Sequence, residues 1–186
     1  MSSEQSAKTA AVTANSFTAN SFTAPDVAAI LHQRGWAAEL SPEQQTWCWH
    51  AAAILGPQVA ERAALVELLE LVFHYDAREL LTRVESHAVL ARYAARDVVR
   101  QLALLLLGGT ALDSERFKEI VTALKEALDL RGRELFYPIR LALAGRAGEG
   151  ELDRVILLLD EAAAAAFAVP VKSARERILE FCSALV

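Results

Sequence analysis

Long apolar runs are missing from this chain of 186 residues. The leucine-rich run Leu102 to Leu107 is far shorter than the roughly 20 residues a membrane-spanning helix needs, and Arg92, Arg96, Asp97 and Arg100 precede it. It reads as a buried helix end. Only two cysteines occur. Cys48 and Cys182 lie far apart with no paired metal spacing, which excludes a disulfide framework and a zinc ribbon and suits a reducing, cytoplasmic setting. Aromatic residues make up only 7%, which disfavours a sheet-rich fold. No Gly-rich strand-to-helix turn of the kind that cradles phosphates is present. His32, His74 and His87 have no neighbouring Cys, Asp or Glu at metal or catalytic-triad spacing. No residue is assigned a catalytic role, and no cofactor or metal is expected. Positive charge is also short. The net charge is −5 and the pI about 5.4, a poor balance for strong nonspecific binding to a polyanion.

What is present is alanine and leucine. Apolar residues form 54% of the chain, and because Ala and Leu lose little freedom on entering a helix, an all-α fold follows. The length suffices to bury a real core.

Turn and cap signals divide the chain. Residues 1–24 contain a direct repeat, TANSF at 13–17 and again at 18–22, without a secretory apolar stretch. They read as a mobile tail. Pro25 and Asp26 open a helix closed by Gly35, and Ser41-Pro42-Glu43-Gln44 has the arrangement of a capping box with Pro at the first helical position. Trp47 and Trp49 lie about 200° apart on the helix that follows, so one is expected in the core and the other half exposed. Pro57 is expected to restart a helix running to about Leu71, and Asp76 to cap the next. One long helix is expected from Ser86 to Leu107. Asp113 or Ser114 should cap a helix ending at Leu130, and a further helix should start near Pro138. Helices from Glu151 to about Ala166 and from Lys172 to Ser183 follow a flexible loop at Gly145–Gly150. The expected organisation is a tail (1–24), an amino-terminal helical subdomain (25–112) and a carboxy-terminal one (113–186).

The most specific stretch is Leu130 to Gly145, LRGRELFYPIRLALAG. It resembles the closing signature of bacterial glutamyl-tRNA synthetases, and FKEIVTALKEALDL (117–130), LLELVFHYDARELL (68–81) and DVAAILHQRGW (26–36) are similar to the family in the same order. The resemblance covers roughly residues 25–180. It implies an all-α helical cage of about eight or nine helices, like the anticodon-binding region of these class I synthetases, and tRNA as the partner, glutamate tRNA first. The family's catalytic signatures, of the His-Ile-Gly-His and Lys-Met-Ser-Lys-Ser types, do not occur here, so no aminoacylation is expected. Neither a membrane nor DNA is expected as a partner. An alternative is an interaction module or synthetase-associated subunit that has kept the fold and lost RNA reading.

The candidate RNA contacts are Arg140, in the family's Pro-x-Arg position, and Arg131, Arg133 and Arg146, which flank the signature at helix ends or in loops and read either as phosphate or base contacts or as scattered surface arginines. Arg140 sits in an apolar helix, where a charge is costly unless paired, so a structural salt bridge and an RNA contact both stand as readings. Phe136 and Tyr137 could stack on bases or pack in the core. The loop after the signature carries Glu149, Glu151 and Asp153, three carboxylates where a phosphate-facing surface is implied. Residues 131–186 hold eight basic and eight acidic side chains. Only this third can present a local basic face, with Lys172, Arg175 and Arg177 on the terminal helix as either its extension or a solvated edge.

Overall fold

A computed structural model of the chain describes residues 22–186. The described residues are helices joined by short turns: α1 (Ala24–Arg34), α2 (Pro42–Leu55), α3 (Arg62–Phe73), α4 (Ala77–Leu81), α5 (Val84–Leu90), α6 (Ala95–Leu107), α7 (Ser114–Leu128), α8 (Arg133–Ala144), α9 (Glu151–Ile156), α10 (Leu159–Ala164) and α11 (Ala174–Ala184). The all-α reading holds, and no described helix is long and apolar enough to cross a membrane. Of the expected tail, residues 1–21 lie outside the described residues. Phe22 packs against the core, and Thr23 caps α1 through hydrogen bonds to Asp26.

Local signals set several ends. Gly35 closes α1 at φ 70°, a left-handed conformation that costs glycine little. At α2 the Gln44 amide N–H donates to Ser41 Oγ (3.3 Å), while the Ser41 N–H donates to Gln44 Oε1 (3.1 Å). Asp76 Oδ1 accepts from the N–H groups of Arg78 (2.9 Å) and Glu79 (3.0 Å), and Asp113 caps α7 in the same way.

The helices outnumber the eight or nine expected because two long ones are interrupted. The helix expected over 86–107 breaks at residues 91–94, where Ala94 takes φ 58°. The break lets α5 pack on α4 and α8 while α6 packs on α7, α8 and α11. The helix expected over 151–166 is α9 followed by α10. After a 3₁₀ turn at Gly56–Gln58 the chain is extended, so α3 begins at Arg62 rather than at Pro57. The signature helix begins at Arg133, five residues before the expected start, with Pro138 inside it.

The buried core runs from Ala24 to Phe181. Near α1 and α2 the Trp36 ring stacks on Phe73 at 4.4 Å and 11°. Trp47 and Phe167 meet Phe73, and each other, edge to face at 5.1 to 5.8 Å. Trp47 is fully buried and donates its indole N–H to the Leu158 carbonyl (3.2 Å), whereas Trp49 is 67% exposed. Gln44, buried at the first turn of α2, donates to the carbonyls of Ala165 and Ala166, both at 3.1 Å. Asp160 accepts from the N–H groups of Leu112 (2.6 Å) and Ala174 (2.8 Å), which ties α10 to the turn before α7 and to the start of α11.

Candidate nucleic-acid interface

Two backbone positions aim the signature helix. Asp129 ends α7 at φ 51°, and Gly132 precedes α8 at φ 56° and ψ −138°, a region that side-chain-bearing residues avoid. Between these bends Arg131 is thrust into solvent. It lines a hollow with Lys125, Glu126, Asp129, Gly132 and Phe136. The Lys125 ammonium lies 5.9 Å from the centre of the Phe136 ring. Arg131 makes no ion pair among the described residues.

One turn further along α8, Tyr137 is half-buried with two guanidinium groups close to its ring. Arg92 lies 5.5 Å and Arg133 5.7 Å from the ring centre. Each arginine has a carboxylate partner. Arg92 pairs with Glu134 at 2.9 Å and Arg133 with Glu149 Oε1 at 3.3 Å. The Tyr137 hydroxyl donates to that same Glu149 oxygen at 3.0 Å.

Arg140 has a different fate. Its side chain is buried, and Nε and Nη2 donate to the two oxygens of Asp153, both at 2.8 Å, while Nη1 donates to the Gly148 carbonyl at 2.6 Å. The guanidinium also lies 4.8 Å from the centre of the Phe136 ring. This is the structural salt bridge of the two readings, in the bidentate geometry that Arg favours. It fastens the loop after α8 to the helix. At Gly148 the backbone runs close to Leu152, whose Cδ1 would have to shift for a Cβ, 2.9 Å away, to fit.

Arg146 faces away from this group. It reaches Glu67 at 3.9 Å and lines a groove with Glu67, Glu70, Asp76, Glu79 and Arg83. The hydrogen bond from the Glu79 N–H, joined by that of Arg78, holds the Asp76 carboxyl below its ordinary range against the opposing effect of desolvation. The structure therefore gathers Arg131 and Arg133 at one end of α8, buries Arg140 below them, and sets Arg146 among carboxylates.

The basic face does not extend through α11 as expected. Arg177 is fully buried and donates to the carbonyls of Lys172 (3.1 Å), Leu71 (2.9 Å), Leu143 (2.8 Å) and Val72 (2.6 Å). Three of these carbonyls belong to the last turns of α3 and α8, which cannot pair them within their own helices. Burial pushes the Arg177 guanidinium down to about 10, so it stays charged at neutral pH. Arg175 donates to the carbonyls of Leu107 (3.1 Å) and Gly109 (2.7 Å) at the end of α6, and Lys172 to that of Tyr75 (2.9 Å). Arg177 and Arg175 thus cap helix ends, while Lys172 holds the turn after α3 and pairs with Glu180.

Sequence reasoning placed the Glu149 carboxylate in the loop but missed Arg92 and Lys125 at this face. Lys125 stood on α7 close to Arg131 in sequence and was recoverable as one basic cluster. Arg92 arrives from the unforeseen break between α5 and α6. Among the described residues no group of three or more His, Cys, Asp or Glu side chains is placed to hold a metal ion.

Part of the chain is similar to known proteins. The glutamate–tRNA ligase of Bacillus mycoides (strain KBAB4) is 31% identical over 122 residues, and that of Bacillus pumilus (strain SAFR-032) 30% identical over 121. The chain is a partial relative of glutamate–tRNA ligase. These two matches take in 64% and 65% of the chain and 24% of each ligase. The chain thus spans about a quarter of the length of the curated relatives it matches, consistent with likeness to their carboxy-terminal region. Glutamate–tRNA ligase 2 of Syntrophus aciditrophicus (strain SB) is 34% identical over 77 residues, 41% of this chain and 16% of that ligase. No family model matches, and no solved structure does. The helical architecture is compatible with the anticodon-binding region of such ligases.

Proposed function

We propose that this chain binds tRNA, glutamate tRNA first, in the cytoplasm and without aminoacylating it. The observation that carries this reading is the likeness to glutamate–tRNA ligases together with the Lys125, Arg131 and Phe136 hollow at the head of the signature helix. A guanidinium and an ammonium beside an aromatic ring offer a phosphate contact and a stacking surface for an unpaired base. Arg131 and Arg133 are the proposed phosphate contacts. Arg140 is proposed as a positioning residue that holds the loop at Gly148, and Arg146, in its acidic groove, as a peripheral contact. The missing nucleotide-binding signatures support the absence of aminoacylation.

The test is a filter-binding titration of the purified chain against glutamate tRNA and an unrelated tRNA at two salt concentrations. Binding should favour glutamate tRNA and weaken with salt, and Arg131→Gln should reduce the slope of log affinity against log salt by about one. No retention at low salt would reject the reading.

A second reading, an interaction module or synthetase-associated subunit, is favoured by a separate observation. Arg92, Arg133, Arg140 and Arg146 are each matched by a carboxylate of the chain, while Leu104, Leu107 and Leu179 are exposed. Failure to bind tRNA combined with stable folding would turn the search to protein partners.

A further inference from the structure

The carboxylate of Glu149 occupies an unusual place. It stands on the surface between Gly148 and Gly150, and its Oε1 accepts from both Arg133 Nη2 (3.3 Å) and the Tyr137 hydroxyl (3.0 Å). A guanidinium and a phenol meeting on one oxygen make a pair of donors suited to an oxyanion, and Arg92, itself paired with Glu134, brings a second guanidinium to the same tyrosine. The loop that delivers Glu149 is fixed from below by Arg140, through Gly148 and Asp153. The carboxylate is thus presented by an anchored loop, yet the Arg133 and Glu149 side chains are 68% and 66% exposed. Such an ion pair is worth little in water, and a more highly charged anion could displace it.

We propose that Arg133, Tyr137 and Arg92 form a phosphate-accepting site, and that Glu149 fills it in the free protein as an internal stand-in for a phosphodiester. The inference rests on the tRNA reading for the identity of its ligand, the RNA backbone. It adds that the chain restrains its own affinity. To contact a phosphate at Arg133, RNA must first displace Glu149, which limits weak, indiscriminate attachment.

Two probes test the site, glutamate tRNA and inorganic tripolyphosphate, the latter followed through the ring signals of Tyr137 in protein carrying ¹³C-labelled tyrosine. Glu149→Gln should tighten both by roughly three-fold at low salt, the size of an exposed ion pair. It should also steepen the salt dependence for tRNA by about 0.7 to 0.9, because one more phosphate is neutralised by the protein. Arg133→Gln should weaken binding more in the Glu149→Gln protein than in the parent, because in the parent that charge is already covered. Thermal unfolding of each variant should match the parent, since both side chains are exposed. Tightening of tripolyphosphate with no tRNA binding in either protein would uphold the anion site and sink the tRNA reading. Equal tRNA and tripolyphosphate affinities with and without Glu149→Gln would overturn the site and leave that reading standing. If neither probe binds either protein, both fail.

Discussion

Arg177 lies with its guanidinium carbon 4.6 Å from the centre of the Tyr75 ring, and the Tyr75 hydroxyl in turn donates to the Ala142 carbonyl in α8. The pair joins α11, the turn after α3 and the last turn of α8 in the middle of the molecule. The cation has no carboxylate within salt-bridge distance among the described residues and is satisfied by helix-end carbonyls instead.

Replacing Arg177 should therefore damage folding more than any surface arginine would. Arg177→Met leaves the carbonyls of Leu71, Val72 and Leu143 without their donor, and a loss of about 3 kcal/mol or more is expected. Arg177→Lys should recover only part of it, since one ammonium cannot reproduce the planar fork. Urea denaturation of the three proteins checks this, and a loss below about 1 kcal/mol for Arg177→Met would refute it.

Breaking the Arg140 pair should be felt in the loop. Asp153→Asn keeps shape and removes charge, and should cost about 1 to 2 kcal/mol, less than the 3 to 5 of a fully buried pair because Asp153 is partly exposed. Limited proteolysis should then find a new cut near Gly148–Gly150. Unchanged cleavage would show that the loop is held by something else.

Acid should loosen the helix starts. Asp76 and Glu176 are held below their ordinary values of 3.8 and 4.5, Asp76 by the N–H groups it caps and Glu176 by the N–H and hydroxyl of Ser173. A carboxylate whose folded pKa is lowered contributes stability above its unfolded pKa, and loses it as pH falls through the folded one. Stability should decline as pH drops below about 5. Asp76→Asn still caps but no longer titrates, so its thermal midpoint should fall less steeply with acid than the parent's. Identical slopes would exclude Asp76 as a contributor.

The two helical tryptophans should separate cleanly by quenching. Trp49→Phe should remove most of the fluorescence that iodide quenches, at a stability change within about 0.5 kcal/mol. Trp47→Ala should cost about 3 to 5 kcal/mol through the cavity and the lost bond to Leu158. Iodide quenching that survives Trp49→Phe unchanged would contradict the placement.

Cysteine chemistry gives a further check. Burial pushes the Cys48 thiol up to about 11 and raises that of Cys182 as well, so a disulfide reagent at pH 8 should react slowly with the native protein and quickly with two thiols in urea. Prompt reaction of both in the native state would contradict the burial of Cys48.

What could be read beforehand was local. Gly35, Ser41-Pro42, Asp76 and Asp113 act within three residues of themselves, so their roles stood in the sequence. Arg140 in an apolar helix demanded a partner, and Asp153 lay 13 residues on, beyond a single turn. The break at Ala94 was invisible because no Gly or Pro marks it; it lets α5 reach α4 while α6 reaches α7 and α11, both still resting on α8. Pro138 misled because proline usually opens a helix, while here Gly132 sets the start and Pro138 is carried inside. Arg177 passed for a solvated edge because its carbonyl partners in α3 and α8 lie 34 to 106 residues away. No window on the sequence could pair them.

Gln44 adds a temporal side to this geometry. Its carboxamide completes the first turn of α2 locally, yet its two N–H donors wait for Ala165 and Ala166, which are 121 and 122 residues later. At about 5 to 20 residues per second of synthesis, that interval is roughly 6 to 24 seconds. A growing chain holds Trp47, beside Gln44 on the same helix, without its Phe167 cover for all of it. Shielding of the nascent amino-terminal helices during that interval should therefore raise the yield of folded protein.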